Sequence, residues 1–121
     1  ASGYYNTAVV PDTLNMRVRL QGILVLQTGA QTPAGTVSTG GWALNATLMV
    51  QSTGGAGTLF AQGDFPHFTA AATYVNWQMV NSSATVINTT GANLLEITAQ
   101  WGGASAASQL YMTNCLGELL N

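Results

Sequence analysis

Lysine is absent from the 121 residues, and the formally charged side chains are Arg17, Arg19, Asp12, Asp64, Glu96 and Glu118. Charged residues make up 5% of the chain, against about 25% in an ordinary globular domain. With a net charge of -2 there is no basic surface to neutralise a row of phosphates, which argues against nucleic-acid binding. A disordered tail needs low hydrophobicity and high charge, and this chain is 47% hydrophobic. One cysteine, Cys115, cannot make an internal disulfide, so the fold is not a disulfide scaffold. One histidine, His67, excludes a histidine-rich metal site. No apolar run approaches the roughly 18 residues of a membrane helix. An outer-membrane barrel would need aromatic girdles and a longer chain.

The scarcity of charge has a consequence for the surface. A domain of this size leaves about a third of its unfolded-chain area exposed. Six charges cannot coat it, so the outside is Thr, Ser, Asn, Gln, Gly and small apolar groups. Such a surface favours assembly with copies of the chain or with a partner.

What the sequence holds in quantity is strand and turn. Met16, Val18 and Leu20 alternate with Arg17 and Arg19, which predicts a half-buried strand with both arginines on its wet face. Ile23 to Leu26 is continuously apolar and predicts a strand buried on both sides or lying at a subunit contact. Trp42, Leu44, Ala46, Leu48 and Val50 share one face of a strand, with Asn45, Thr47 and Gln51 on the other. The glycines of 52–57 predict a turn. Thr58 to Phe65 then pairs back, with Leu59, Ala61, Gly63 and Phe65 on one face. Pro66 is expected to end that strand. The stretch from Pro66 to Gln78 reads as a long loop, with a helical turn at 69–72. Strands are expected again over 84–89 and 94–101, and a last one over 109–120. Cys115 falls in that last run and is expected to pack as a small core hydrophobe. Trp42 and Trp101 are assigned to the core.

About eight short strands between glycine-rich turns predict an all-β fold. The expected architecture is one antiparallel β-sandwich domain over 1–121, jelly-roll-like. The chain opens inside a patterned segment, so the domain is expected to be the C-terminal part of a longer protein. Thr-Gly pairs at Thr28, Thr53 and Thr90 recur at unequal spacing and read as turns, not as a solenoid repeat.

Chemistry-bearing patterns are sparse. Asp64 and His67 lie three apart, but a zinc site needs at least three protein ligands, so no metal site and no cofactor is assigned. A Cys115–His67 dyad conflicts with a thiol placed in a strand. Ser105 lacks the second glycine of a nucleophile elbow. Asp64 and Glu96 are the pair left for glycosidase chemistry. No catalytic residue is assigned, and the chain is expected not to be an enzyme. Three matches to the N-glycosylation pattern, at Asn45, Asn81 and Asn88, are at chance level in so Asn/Ser/Thr-rich a chain. Phe68, Tyr74 and Trp77 in the expected loop, with Arg17 and Arg19 on the exposed strand face, are the candidate partner contacts.

The run from Ala1 to Thr7, then Pro11 to Leu20, resembles a β-rich module of tailed-bacteriophage virion proteins: head-fibre, decoration or tail-associated proteins. The likeness continues through Leu26 to Ala30, Trp42 to Thr47 and Ser52 to Gly63. It resumes at Met79 to Asn81, Asn88 to Thr90, Leu95 to Gly102, Ala104 to Ala106 and Thr113-Asn114. It covers most of the chain except Pro66 to Gln78, and its force lies in the order of short motifs. Proteins of this kind carry further strands before the Ala-Ser-Gly stretch. The resemblance implies a jelly-roll-like sandwich, often a homotrimer, with no catalytic residues to carry over. The function then expected is a capsid decoration or cement protein on the outer head surface, held to itself and to the major capsid protein. The alternative is a receptor- or carbohydrate-binding module of a tail or fibre tip, whose partner would be a glycan.

Overall fold

A computed structural model describes residues 1–70 and 73–118. Its ten strands are β1 (Ser2–Asn6), β2 (Leu14–Leu20), β3 (Ile23–Gln27), β4 (Gly40–Ala43), β5 (Asn45–Ser52), β6 (Gly57–Ala70), β7 (Thr73–Val80), β8 (Thr85–Ile87), β9 (Leu95–Trp101) and β10 (Gln109–Asn114). They form two antiparallel sheets. The small sheet runs β3-β2-β9. The large one runs β10-β1-β4-β6-β5, with β7 and β8 on the other side of β6. The fold is the expected all-β sandwich. Two of the extra strands are continuations: β4 and β5 are separated by Leu44 alone, and β7 and β8 follow one another along the same side of β6.

The small sheet begins with a hairpin whose geometry follows from its turn. Gln21 and Gly22 both have positive φ, 52° and 74°, as a two-residue turn matching the twist of its strands requires. Leu14, Met16 and Val18 of β2 are buried and face the large sheet, while Arg17 and Arg19 face outward. On β3, Val25 and Leu26 are buried but Ile23 and Leu24 are exposed. That strand is therefore not buried on both sides along its length. A register shift between Val18 and Arg19 turns two consecutive β3 side chains inward.

The central strand is β6, and it departs most from expectation. Pro66 does not end it. The strand continues through His67 and Phe68 and pairs with β7 from Phe65↔Trp77 to Ala70↔Thr73. By register Pro66 stands opposite Ala43, the last residue of β4, next to the β4–β5 break. A proline lacking its N–H is tolerated where the neighbouring ladder is interrupted. The expected loop from Pro66 to Gln78 is thus a β-hairpin. Of the expected helical turn at 69–72, Thr69 and Ala70 are strand, and 71 and 72 lie outside the described residues.

The last strand is shorter than expected, ending at Asn114, and 119–121 lie outside the described residues. Cys115 follows it and is exposed, not a core residue. The core lies between β2–β3 and the inner face of β6–β7, built from Leu14, Met16, Val18, Leu59, Phe65 and Met79 among others. Trp42 is buried, and Trp101 is half-buried against that core.

Candidate contact surface

Strand parity divides the large sheet into two unlike faces. The inner face carries Tyr5, Trp42, Phe65, His67 and Trp77. Phe65 stacks on Trp42 at 5.6 Å and on Trp77 at 5.5 Å between ring centroids, and His67 lies 4.3 Å from Trp77. Two glycines make room for this cluster. A Cβ on Gly3 would land on the carbonyl oxygen of Tyr111. In that space the indole N–H of Trp42 donates to the carbonyls of Tyr4 and Tyr111, each at 3.2 Å. A Cβ on Gly40 would lie 2.6 Å from the carbonyl oxygen of Phe68 and 2.8 Å from the ring of Tyr5. There the Tyr5 hydroxyl crosses β4 and donates to that carbonyl at 3.0 Å. Burial pushes the Tyr5 phenol up to about 12.

His67 is 1% exposed. Its Nδ1 lies 3.3 Å from the carbonyl of Phe65, and its Nε2 is buried without a partner. Burial lowers its pKa, partly opposed by that carbonyl contact. A neutral imidazole under an aromatic cluster cannot reach a solvent-borne substrate. Cys115 lies beyond β10, three strand spacings from β6, or about 14 Å. The structure therefore does not bring the Cys115–His67 dyad together. Asp64 faces out from the large sheet and Glu96 from the small one, opposite Arg19. The two carboxylates look away from each other on opposite sides of the sandwich. Among the described residues no group of three His, Cys, Asp or Glu side chains is placed to hold a metal ion.

The outer face of the large sheet is built differently. Tyr111 pairs with Tyr4, Tyr4 with Gly41, and Phe68 with Tyr74. Gly41 lies next to Phe68, whose Cδ2 would be 3.8 Å from a Cβ there. The four aromatic residues thus form one row across five strands, spanning about 19 Å at the usual strand spacing. All are exposed, from 36% at Tyr4 to 56% at Tyr74. The row is in contact at both ends: Tyr4 stacks on Tyr111 at 4.6 Å, and Phe68 meets Tyr74 edge-on at 5.8 Å. Phe68 leans over Gly41 in the middle.

Further along the same face is an open trough of about 310 Å3 lined by Asn45, Thr47, Gln62, Asp64, Gln78 and Val80. The amides of Asn45 and Asn76 donate to the two oxygens of Asp64, at 3.0 and 3.2 Å. Asp64 is the one formal charge in this lining. The trough ends against Met49 and Phe60. A surface of exposed rings, amides and one carboxylate is suited to close packing and hydrogen bonding, not to attraction by charge.

The five sequence-derived contact candidates fall in three places. Phe68 and Tyr74 join the aromatic row. Trp77, expected beside them, is on the opposite face, because three residues along a strand reverses the side-chain direction. It packs half-buried on Phe65 and His67. Arg17 and Arg19 lie on the outer face of the small sheet, on the far side of the molecule. There the Arg19 guanidinium donates to the carbonyl of Gly22 at 2.8 Å. Sequence reasoning missed Tyr4 and Tyr111. Each is one tyrosine in a short strand, and only the pairing across β1 and β10 brings them together. None of the family models, curated proteins or solved structures compared with the chain matches it.

Proposed function

We propose that this chain is a non-enzymatic structural module that works within an assembly, as a decoration or cement protein on the head of a tailed phage. The observation that carries the assembly reading is the apolar, nearly uncharged exterior. Val9, Val10, Met49, Val80, Leu94 and Leu116 are each more than 60% exposed. The chain exposes 6939 Å2, against roughly 6,200 Å2 for a compact monomer of its mass. On a shell, many weak contacts of this kind add through multivalency. Apolar contacts of this sort hold in high salt, where charge-steered ones weaken. The resemblance to phage virion modules supports the particle, and the additive weak contacts of a shell favour the head.

A second reading, a glycan-binding module of a fibre tip, is favoured by the aromatic row beside an amide-lined trough. Aromatic rings offer apolar faces to sugar C–H groups, while amides and a carboxylate exchange hydrogen bonds with hydroxyls. Gold-labelled antibody against the chain, applied to intact particles and viewed by electron microscopy, separates the readings. The first expects label over the whole head. Label confined to a tail or fibre tip favours the second, and unlabelled particles overturn both.

A further inference from the structure

The polar trough lies within the large sheet, not at its rim. It is centred on β6, which pairs with β5 on one side and β7 on the other at both Gln62 and Asp64. An extended peptide therefore cannot join β6 as a further strand. Across the three strands the outer face carries Thr47, Gln62 and Val80, and beside them Asn45, Asp64 and Gln78. Past Pro66 comes Phe68, whose ring lies over Gly41, with Tyr4 on the other side of that glycine.

The polar groups of the trough are only partly used. Each oxygen of Asp64 accepts one amide, from Asn45 at 3.0 Å and from Asn76 at 3.2 Å. A carboxylate offers about four lone-pair sites, so one on each oxygen stays open. Thr47, Gln62 and Gln78 are exposed around it, and each of these side chains both donates and accepts. The trough holds no cation, since Arg17 and Arg19 are on the small sheet. Two adjacent acceptor sites match two adjacent hydroxyl donors, the vicinal diol of a sugar ring. A carboxylate, sulfate or phosphate on the ligand would instead meet Asp64 with no positive group to offset it.

We infer that this face binds an uncharged glycan laid along β6. A vicinal pair of its hydroxyls sits on Asp64, flanking hydroxyls bond to Gln62 and Gln78, and a further sugar ring packs against Phe68 and Tyr4 over Gly41. Asp64 and Phe68 are four residues apart on one strand, a span of about 13 Å. A single sugar cannot touch both, so the ligand is an oligosaccharide or a polymer. This ligand class narrows the glycan reading given above, on which it rests, and it applies on a head as well as on a fibre tip.

The test applies the purified full chain to an array printed with neutral and acidic bacterial glycans. Neutral glycans should retain it and acidic ones should not. The neutral glycan that is held best is then titrated in solution. Asp64→Asn and Phe68→Ala should each weaken binding about tenfold or more, as loss of a hydrogen bond to a charged group or of a central ring contact does. Phe68→Tyr should keep the affinity, and Arg17→Gln, on the far sheet, should leave it unchanged. The monosaccharide units of that glycan should show no saturable binding. Each variant should keep the circular dichroism spectrum of the parent chain. Retention by acidic glycans alone overturns the uncharged class and leaves the glycan reading standing. Neutral binding that survives both Asp64→Asn and Phe68→Ala overturns this site, again without touching that reading. A chain that no glycan on the array retains overturns the glycan reading and this inference with it.

Discussion

β2 and β5 carry nearly the same pattern and meet opposite fates. Leu14, Met16, Val18 and Leu20 alternate with polar residues in one, and Leu44, Ala46, Leu48 and Val50 in the other. Met16 is 0% and Val18 1% exposed, whereas beyond Leu44 no residue of β5 is better than half-buried. The cause lies in the opposing layer. β2 is the middle strand of the small sheet and faces the inner side of the large one. β5 belongs to a seven-stranded sheet faced by three strands, and it lies at the end that those three do not cover. Alternation specifies a strand with one apolar face. Whether that face is buried depends on how far the second sheet reaches.

The largest break in this comparison comes from truncating equivalent positions. Met16→Ala should cost about 2–5 kcal/mol in chemical denaturation. Leu48→Ala, measured in dilute protein, should cost under about 1 kcal/mol. Gly40→Ala tests the inner face from the other direction. Its methyl group would press on a backbone carbonyl and on Tyr5, which should destabilise by about 1–3 kcal/mol. Tyr5→Phe, losing the one bond that Gly40 makes room for, should cost about 1 kcal/mol.

His67 sharpens the contrast through pH. Its folded pKa is depressed, so below about 6.5 the unfolded chain takes up a proton that the folded chain refuses. Stability should be full above that value and fall as pH drops toward the folded pKa. His67→Phe should flatten this acid limb in urea titrations at several pH values. The smallest effect is expected on the open face. Asp64→Asn, in the polar trough, should change stability by no more than about 0.5 kcal/mol.

Much of the fold was legible because its signals are local. The alternation of β2, β5 and β9, the glycines before Thr58 and the Gln21-Gly22 turn each act within a few residues. Pro66 was misleading for a reason that is not local: it faces Ala43, where the paired strand β4 ends, and a proline is tolerated where the ladder is interrupted. The aromatic contact surface was half legible. Phe68 and Tyr74 stood out by composition, but whether Trp77 joined them depended on Pro66 to Gln78 being strand. Tyr4 and Tyr111 are 107 positions apart, and no periodicity links them.

By itself the sequence determined that this protein is all-β, almost uncharged and free of a disulfide framework, since these follow from residue counts and short-range periodicity. Only the tertiary structure decided which apolar faces are covered. It put His67 out of reach and aligned four aromatic residues across five strands. Those outcomes depend on strand register and on the unequal size of two packed sheets, properties of the whole chain and of no segment within it.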